Sequence, residues 1–408
     1  MAVAQGINRT FAYKKQSGLG SSASGAGGTL MRRVTANLNV TKDSYENNEI
    51  VSHQQGTGFT FGIAKTGGTL NGLLSGTTWM PFIGSLLRKD PAATSAISSL
   101  SLTIAASGSN YTITRSAGSW LTDGVKIGDV AQLSGGSLNS NNVAKNVVVV
   151  AIASATQLTV NVLKSGGTLT AEGPIASCTF TVQGKKSWVP TSGFTNDYYT
   201  LEDFDSDLTL SRVYPDLQIG QAEIAIPATG NVTINHTLVG LGACSKSGAQ
   251  VLTSPSAAPS TEVFGAVAGA VYVAGVRYGT ITGMNITING NVTQGEAVVG
   301  SAVIADVQRG RIVVTGSFTA VFDAETLSTP FDNETATSLI LVLADSRTDA
   351  ANTMAFVMSN VKLSSAERDD GEKQLVSTFN FTAAYNGSGG ASLANHATII
   401  SIQDSQAA

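Results

Sequence analysis

Few residues in this 408-residue sequence have types and spacing suited to chemistry. The run Glu202-Asp203-Phe204-Asp205 gathers three carboxylates, the groups that hold Ca²⁺ or, as a facing pair, cleave a glycosidic bond. It lacks the spacing of an EF-hand loop, and a solvated turn is the plainer account. His53, His236 and His396 have no serine or cysteine nucleophile motif beside them, and no G-x-S-x-G, phosphate-loop or paired-cysteine signature occurs. Cys178 and Cys244 are too few for a disulfide framework. The sequence therefore predicts no catalytic residue, no metal and no cofactor.

Composition narrows the classes further. A formal charge of -4 and a pI near 5.4 exclude the basic footprint of a protein that grips nucleic acid by its phosphates. With only 6% aromatic residues, a sugar-degrading cleft is not expected. Met1 to Thr10 carries no cationic start with an apolar stretch behind it, so no secretory signal is expected. The most apolar run, Phe264 to Val276, is broken by glycines and falls short of the roughly 20 residues a membrane helix needs, so no membrane partner is expected. Ser, Thr, Asn and 44 glycines divide the chain into many short segments, which predicts an all-β fold with few helices.

Several of those segments alternate with a period of two. Val34, Ala36, Leu38 and Val40 oppose Thr35, Asn37 and Asn39, while Val232, Ile234, His236 and Leu238 oppose Thr233 and Asn235. Ile286 and Ile288 oppose Thr287; Ile312, Val314, Phe318 and Phe322 oppose Thr315; Leu375, Phe379 and Phe381 oppose Thr378 and Asn380. The polar sides are Thr, Ser and Asn, where solvent-facing strands usually carry many lysines and glutamates. Two helices are expected. One runs from Thr77 to Arg88 behind two threonine caps, and the other from Asp332 to Leu343 with a stripe of Ala336, Leu339, Ile340 and Leu343.

The order strand, loop, strand, helix, hairpin occurs twice, with Gly72 and Gly316 central to matching strands, and predicts a duplicated domain. The first copy comprises 1–90 and 182–240, and the second comprises 270–408. Residues 91–181 form an inserted small β-barrel or sandwich, and 241–269, rich in Ser, Ala, Gly and Pro, read as a linker.

The first 90 residues resemble the major tail tube proteins of long-tailed, non-contractile, siphovirus-type bacteriophages. The resemblance lies in Ala4-Gln5-Gly6-Ile7-Asn8, Tyr13-Lys14-Lys15-Gln16, Leu30-Met31-Arg32-Arg33-Val34-Thr35, Asn48-Glu49-Ile50 with Gln54-Gln55, and Gly68-Thr69-Leu70-Asn71-Gly72 leading into Trp79 to Arg88. It implies two β-sandwich or half-barrel domains, each flanked by a helix, whose long hairpins join those of neighbouring copies around a lumen that DNA crosses during ejection. It also implies a virion protein assembled in the host cytoplasm. The implied partners are further copies of itself, a tape measure protein in the lumen, and tail terminator and distal tail proteins at the ends. Duplex DNA would pass without tight binding. Single-domain relatives form hexameric rings of two hairpins per subunit. A chain with four hairpins would close as a pseudo-sixfold trimer of roughly 24 strands, about 50 Å across.

On that reading Thr35, Asn37, Asn39, Thr233, Asn235, Thr287, Thr315, Thr378 and Asn380 are candidates for the lumen. Glu46, Glu49, Asp216, Glu223, Glu296, Asp306, Glu367 and Asp369 are placed in loops between hairpin strands. There they would repel DNA, or pair with Lys42, Arg212, Arg309, Arg368 and Lys373 of the next ring, or simply be solvated. A bacterial surface adhesin or pilin-like sandwich shares the composition but should carry an export signal.

Overall fold

A computed structural model of the chain describes residues 4–53, 55–94, 96–321, 327–369 and 375–407. Lys373, Gln54 and Phe322 lie outside them. The fold is all-β, as the sequence predicted, with two short helices among the described residues.

Eight long strands form one continuous antiparallel sheet. They are β1 (Thr35–Glu46), β2 (Phe59–Leu73), β3 (Leu210–Ile226), β4 (Thr233–Gly240), β5 (Ile281–Asn289), β6 (Val313–Val321), β7 (Thr353–Arg368) and β8 (Val376–Ala383). Their order is β1-β2-β4-β3-β5-β6-β8-β7, so each half of the chain supplies four adjacent strands and the halves meet at β3 and β5. Alternation puts Leu70, Ile224, Ile234, Ile286, Phe318 and Phe381 on one face, in the main core. A second layer covers that face. Strands Arg9–Lys15 and Tyr199–Asp205 belong to it in the first half, and Gly265–Val273, Thr337–Ala344 and Ser401–Asp404 in the second.

Helix α1 (Met80–Leu86) buries Phe82, Ile83 and Leu86 in the first half's core. It is shorter than expected, and neither threonine caps it: Trp79 is the N-cap, Thr77 instead donates its N–H to Asp404, and Thr78 accepts the Ser75 hydroxyl. The second expected helix is a strand. Only the single turn α2 (Thr329–Asp332) is helical, and Thr337–Ala344 lies flat beside β7. Leu339, Leu341 and Leu343 enter the main core while Ile340 and Val342 pack on its other side, so both faces are buried and no polar alternation marked the strand.

Between α1 and Tyr199, strands Ala96–Ser107, Asn110–Arg115, Val130–Gly135, Val147–Ser154, Gln157–Val162 and Glu172–Val182 close into a six-stranded barrel around Ile113, Trp120, Leu158 and Phe180. Val130, Val148, Val150 and Leu163 fix it to Tyr272, Ile340 and Val342 of the second half's outer layer and to Ala355 at the start of β7. A buried Lys186–Asp129 ion pair at 2.5 Å lies at its base. The segment 241–269 is docked as well: Ser245–Ser247 pairs with β3, and Leu252 and Phe264 are fully buried.

The two halves share a backbone feature. In each half a glycine of the second strand faces the first so closely that a Cβ would strike an asparagine carbonyl: Gly68 against Asn37, and Gly316 against Asn285. Gly72 and Gly316 share an aromatic neighbour instead: a Cβ would meet the Trp79 ring at the first and the Phe381 ring at the second.

Candidate functional site

The face of the sheet opposite the core is polar along its full width. Following the pairing strand by strand, one row reads Thr35, Asn71, Asn235, Glu223, Thr287, Thr315, Thr382 and Lys362, crossing all eight strands without a break. The next row along the strands includes Thr233, Ala225, Asn285, Ser317, Asn380 and Ser365. Thr378 and Glu367 face each other in the row beyond. Asn37 and Asn39 occupy the same face of β1 as Thr35. The threonine and asparagine candidates from both halves are therefore brought onto one surface. Its charges are sparse and mixed: Glu223, which accepts the Gln221 amide at 2.6 Å, Glu367, Lys362, and Lys65 with its ion-pair partner Asp43. A surface of hydroxyls and amides with few cations has little with which to hold a row of phosphates.

Asn71, Gln221 and Lys362 belong to this face although the alternating segments did not single them out. β3 and β7 run 17 and 16 residues, well past the stretches whose alternation was legible. For the same reason Glu223 lies inside β3, and not in a loop. Asp216 departs further from expectation. It sits within β3 with φ 55°, buried, where its carboxylate accepts the Gly20 N–H at 2.8 Å and its own N–H donates to Gln16. Pro215-Asp216 resembles a turn in sequence, but the strand continues through it as an irregularity in the pairing with Tyr199–Leu201.

Asp306 and Arg309 form contacts between the halves. Asp306 accepts the Tyr198 hydroxyl at 2.7 Å, and Arg309 donates to the Thr195 carbonyl at 2.9 Å, its pKa lowered by burial. Glu46, Glu49, Glu296 and Asp369 are exposed, and Arg368 ends β7. Lys42 and Arg212 come together with Lys246 and Phe61 around an open concavity of about 1080 Å³ on the core side of β1.

The carboxylate run resolves into structural contacts. Glu202 is fully buried and accepts the N–H groups of Val251 and Leu252 and the Ser211 hydroxyl. Asp203 forms a two-point pair with Arg9. His236 lies in the core against Trp79 and Phe82, and His396 stacks on Trp188 at 4.8 Å. Among the described residues, no group of three or more His, Cys, Asp or Glu is placed to hold a metal ion.

The architecture is thus a wide sheet with a buried face, a weakly charged polar face and no gathered chemical centre among the described residues. No curated protein matches the sequence. The family described as phage tail tube protein matches residues 6–383, nearly the whole length. The chain therefore belongs to the phage tail tube protein family, as a structural component of the virion tail.

Proposed function

We propose that three copies of this chain close into a pseudo-sixfold ring, and that stacked rings form the conduit through which DNA leaves a long-tailed, non-contractile phage. The observation that carries this reading is the eight-strand row from Thr35 to Lys362, with strand edges left over at both ends. Among the described residues β1 pairs with β2 alone, and residues 362–367 of β7 pair with β8 on one side, with no strand along the other. Long unpaired edges invite pairing with another chain, and a closed ring satisfies them. The junction of β3 with β5 supplies an internal template for β7 of one copy meeting β1 of the next. Three chains of eight strands give roughly 24 strands and a barrel about 50 Å across at the usual spacing and tilt. The polar face then lines the lumen, where hydroxyls and amides let duplex DNA slide past.

The barrel at 96–182 packs on the layer opposite that face, which supports a position on the tube's exterior. A tape measure protein would occupy the lumen before ejection, with terminator and distal tail proteins at the two ends and assembly in the host cytoplasm. Electron microscopy of concentrated purified protein tests the reading. Hollow tubes with three outer projections per ring are expected. Six projections would overturn the trimer, and dispersed single chains would overturn self-assembly.

A further inference from the structure

Within the chain, the loop between β5 and β6 clasps the first half. Besides the Asp306 and Arg309 contacts, the Arg88 guanidinium, two residues past α1, donates to the carbonyls of Gly290 and Gly310. Ile304 and Val307 pack against Val239 and Leu241 at the end of β4. The segment after the first half's helix and the end of β4 thus receive the following half's first hairpin. The counterparts of these partners are present and uncovered at the chain's outer ends. The distal β1–β2 hairpin exposes Phe59 at 57% and Phe61 at 70%, with the Lys42 ammonium 5.6 Å from the Phe61 ring. At the other end, residues 331–336, from the last turn of α2 onward, are exposed throughout, including Phe331 and Glu334, and Tyr385 just past β8 is 55% exposed.

We infer that the distal β1–β2 hairpin of one copy seats Lys42, Phe59 and Phe61 on Phe331, Glu334 and Tyr385 of a second copy, repeating between chains the clasp that the β5–β6 loop makes within one. The two patches complement each other in kind, aromatic with aromatic and the cation of Lys42 with the carboxylate of Glu334. This rests on the ring reading, because only ring closure brings the two ends of the sheet together.

The test uses the full chain and charge exchange. Lys42→Glu and Glu334→Lys should each cut the sedimentable tube fraction at least tenfold while leaving the single chain folded by circular dichroism. Combined, they should restore most of it. A second measurement avoids dependence on charge: in a Cys244→Ser background, Phe61→Cys with Phe331→Cys should give an oxidised inter-chain ladder in assembled tubes. Tubes that form normally in both single charge variants and give no inter-chain adduct would overturn the clasp and leave the ring reading standing. Failure of the unaltered chain to form any ring would overturn the ring reading itself.

Discussion

Glu223 of β3 stands directly opposite Thr287 of β5, and this pairing joins the two halves edge to edge in a single sheet. Both side chains lie on the polar face, so the row of Thr and Asn residues passes from one half to the other without interruption. The halves share a continuous surface because their backbones share a ladder.

The free edge of β1 should be required for assembly and dispensable for folding. Ala36 is half-buried on the core side of that edge, where a lysine can reach solvent past the last strand while obstructing an incoming one. Ala36→Lys is expected to abolish tubes in sedimentation and microscopy and to leave the urea midpoint of the single chain nearly unchanged. Normal tube formation by this variant would sink edge pairing at β1.

The lumen reading predicts weak DNA contact that added cations convert to retention. Tubes of the unaltered chain should not hold duplex DNA on a filter at physiological salt. Glu223→Lys with Thr287→Lys places two adjacent cations per chain on the polar face, and should produce retention that falls steeply as salt rises. Tight retention by the unaltered tubes would contradict the reading.

His236 should make the fold acid-sensitive. Burial lowers its pKa from 6.5 to about 4. The unfolded chain therefore takes up the proton first, and the stability contributed by the neutral ring is full above about pH 6.5 and is lost as pH falls toward 4. His396 carries the same sign, lowered to about 3 first by burial and then by Lys186, Lys126 and Lys89. Urea unfolding at pH 7 and pH 5 should show His236→Phe losing less stability on acidification than the unaltered chain, by about 1–2 kcal/mol. Equal losses in the two proteins would refute this assignment.

The close approach shared by the two glycines makes a prediction about both halves. Gly68→Ala and Gly316→Ala each drive a Cβ into a backbone carbonyl and should destabilise by about 1–3 kcal/mol. Gly67→Ala, whose Cβ would stand 3.5 Å from the Leu238 carbonyl, should be much milder. Thermal unfolding of the three variants separates close approach from the ordinary effect of adding a methyl group to a strand.

Removing the Glu202 carboxylate should loosen the segment between the halves. Glu202→Ala leaves the Val251 and Leu252 N–H groups and the Ser211 hydroxyl without their buried acceptor, which is expected to cost about 2–5 kcal/mol. Hydrogen exchange should quicken at Val251 and Leu252 well before β2 and β4 are affected. Unchanged protection at those two amides would show that other contacts hold the segment.

The sequence by itself determined the all-β class, the two-sidedness of the strands around Thr35, Thr233, Thr287 and Thr378, and the first helix. Each is written in local spacing: a half-buried strand must alternate, and an apolar stripe at three and four residues marks a helix face. The strand Thr337–Ala344 escaped that reading because both of its faces are buried, so its apolar run carried no period-two signal. Asp216 and Glu223 escaped it because a long strand can absorb a turn-like dipeptide when its neighbours supply the missing hydrogen bonds. Only the tertiary structure decided that Asn71, Gln221 and Lys362 share a surface with the predicted Thr and Asn residues. Register between strands more than a hundred residues apart depends on which backbones pair, and no local pattern in either strand encodes its partner.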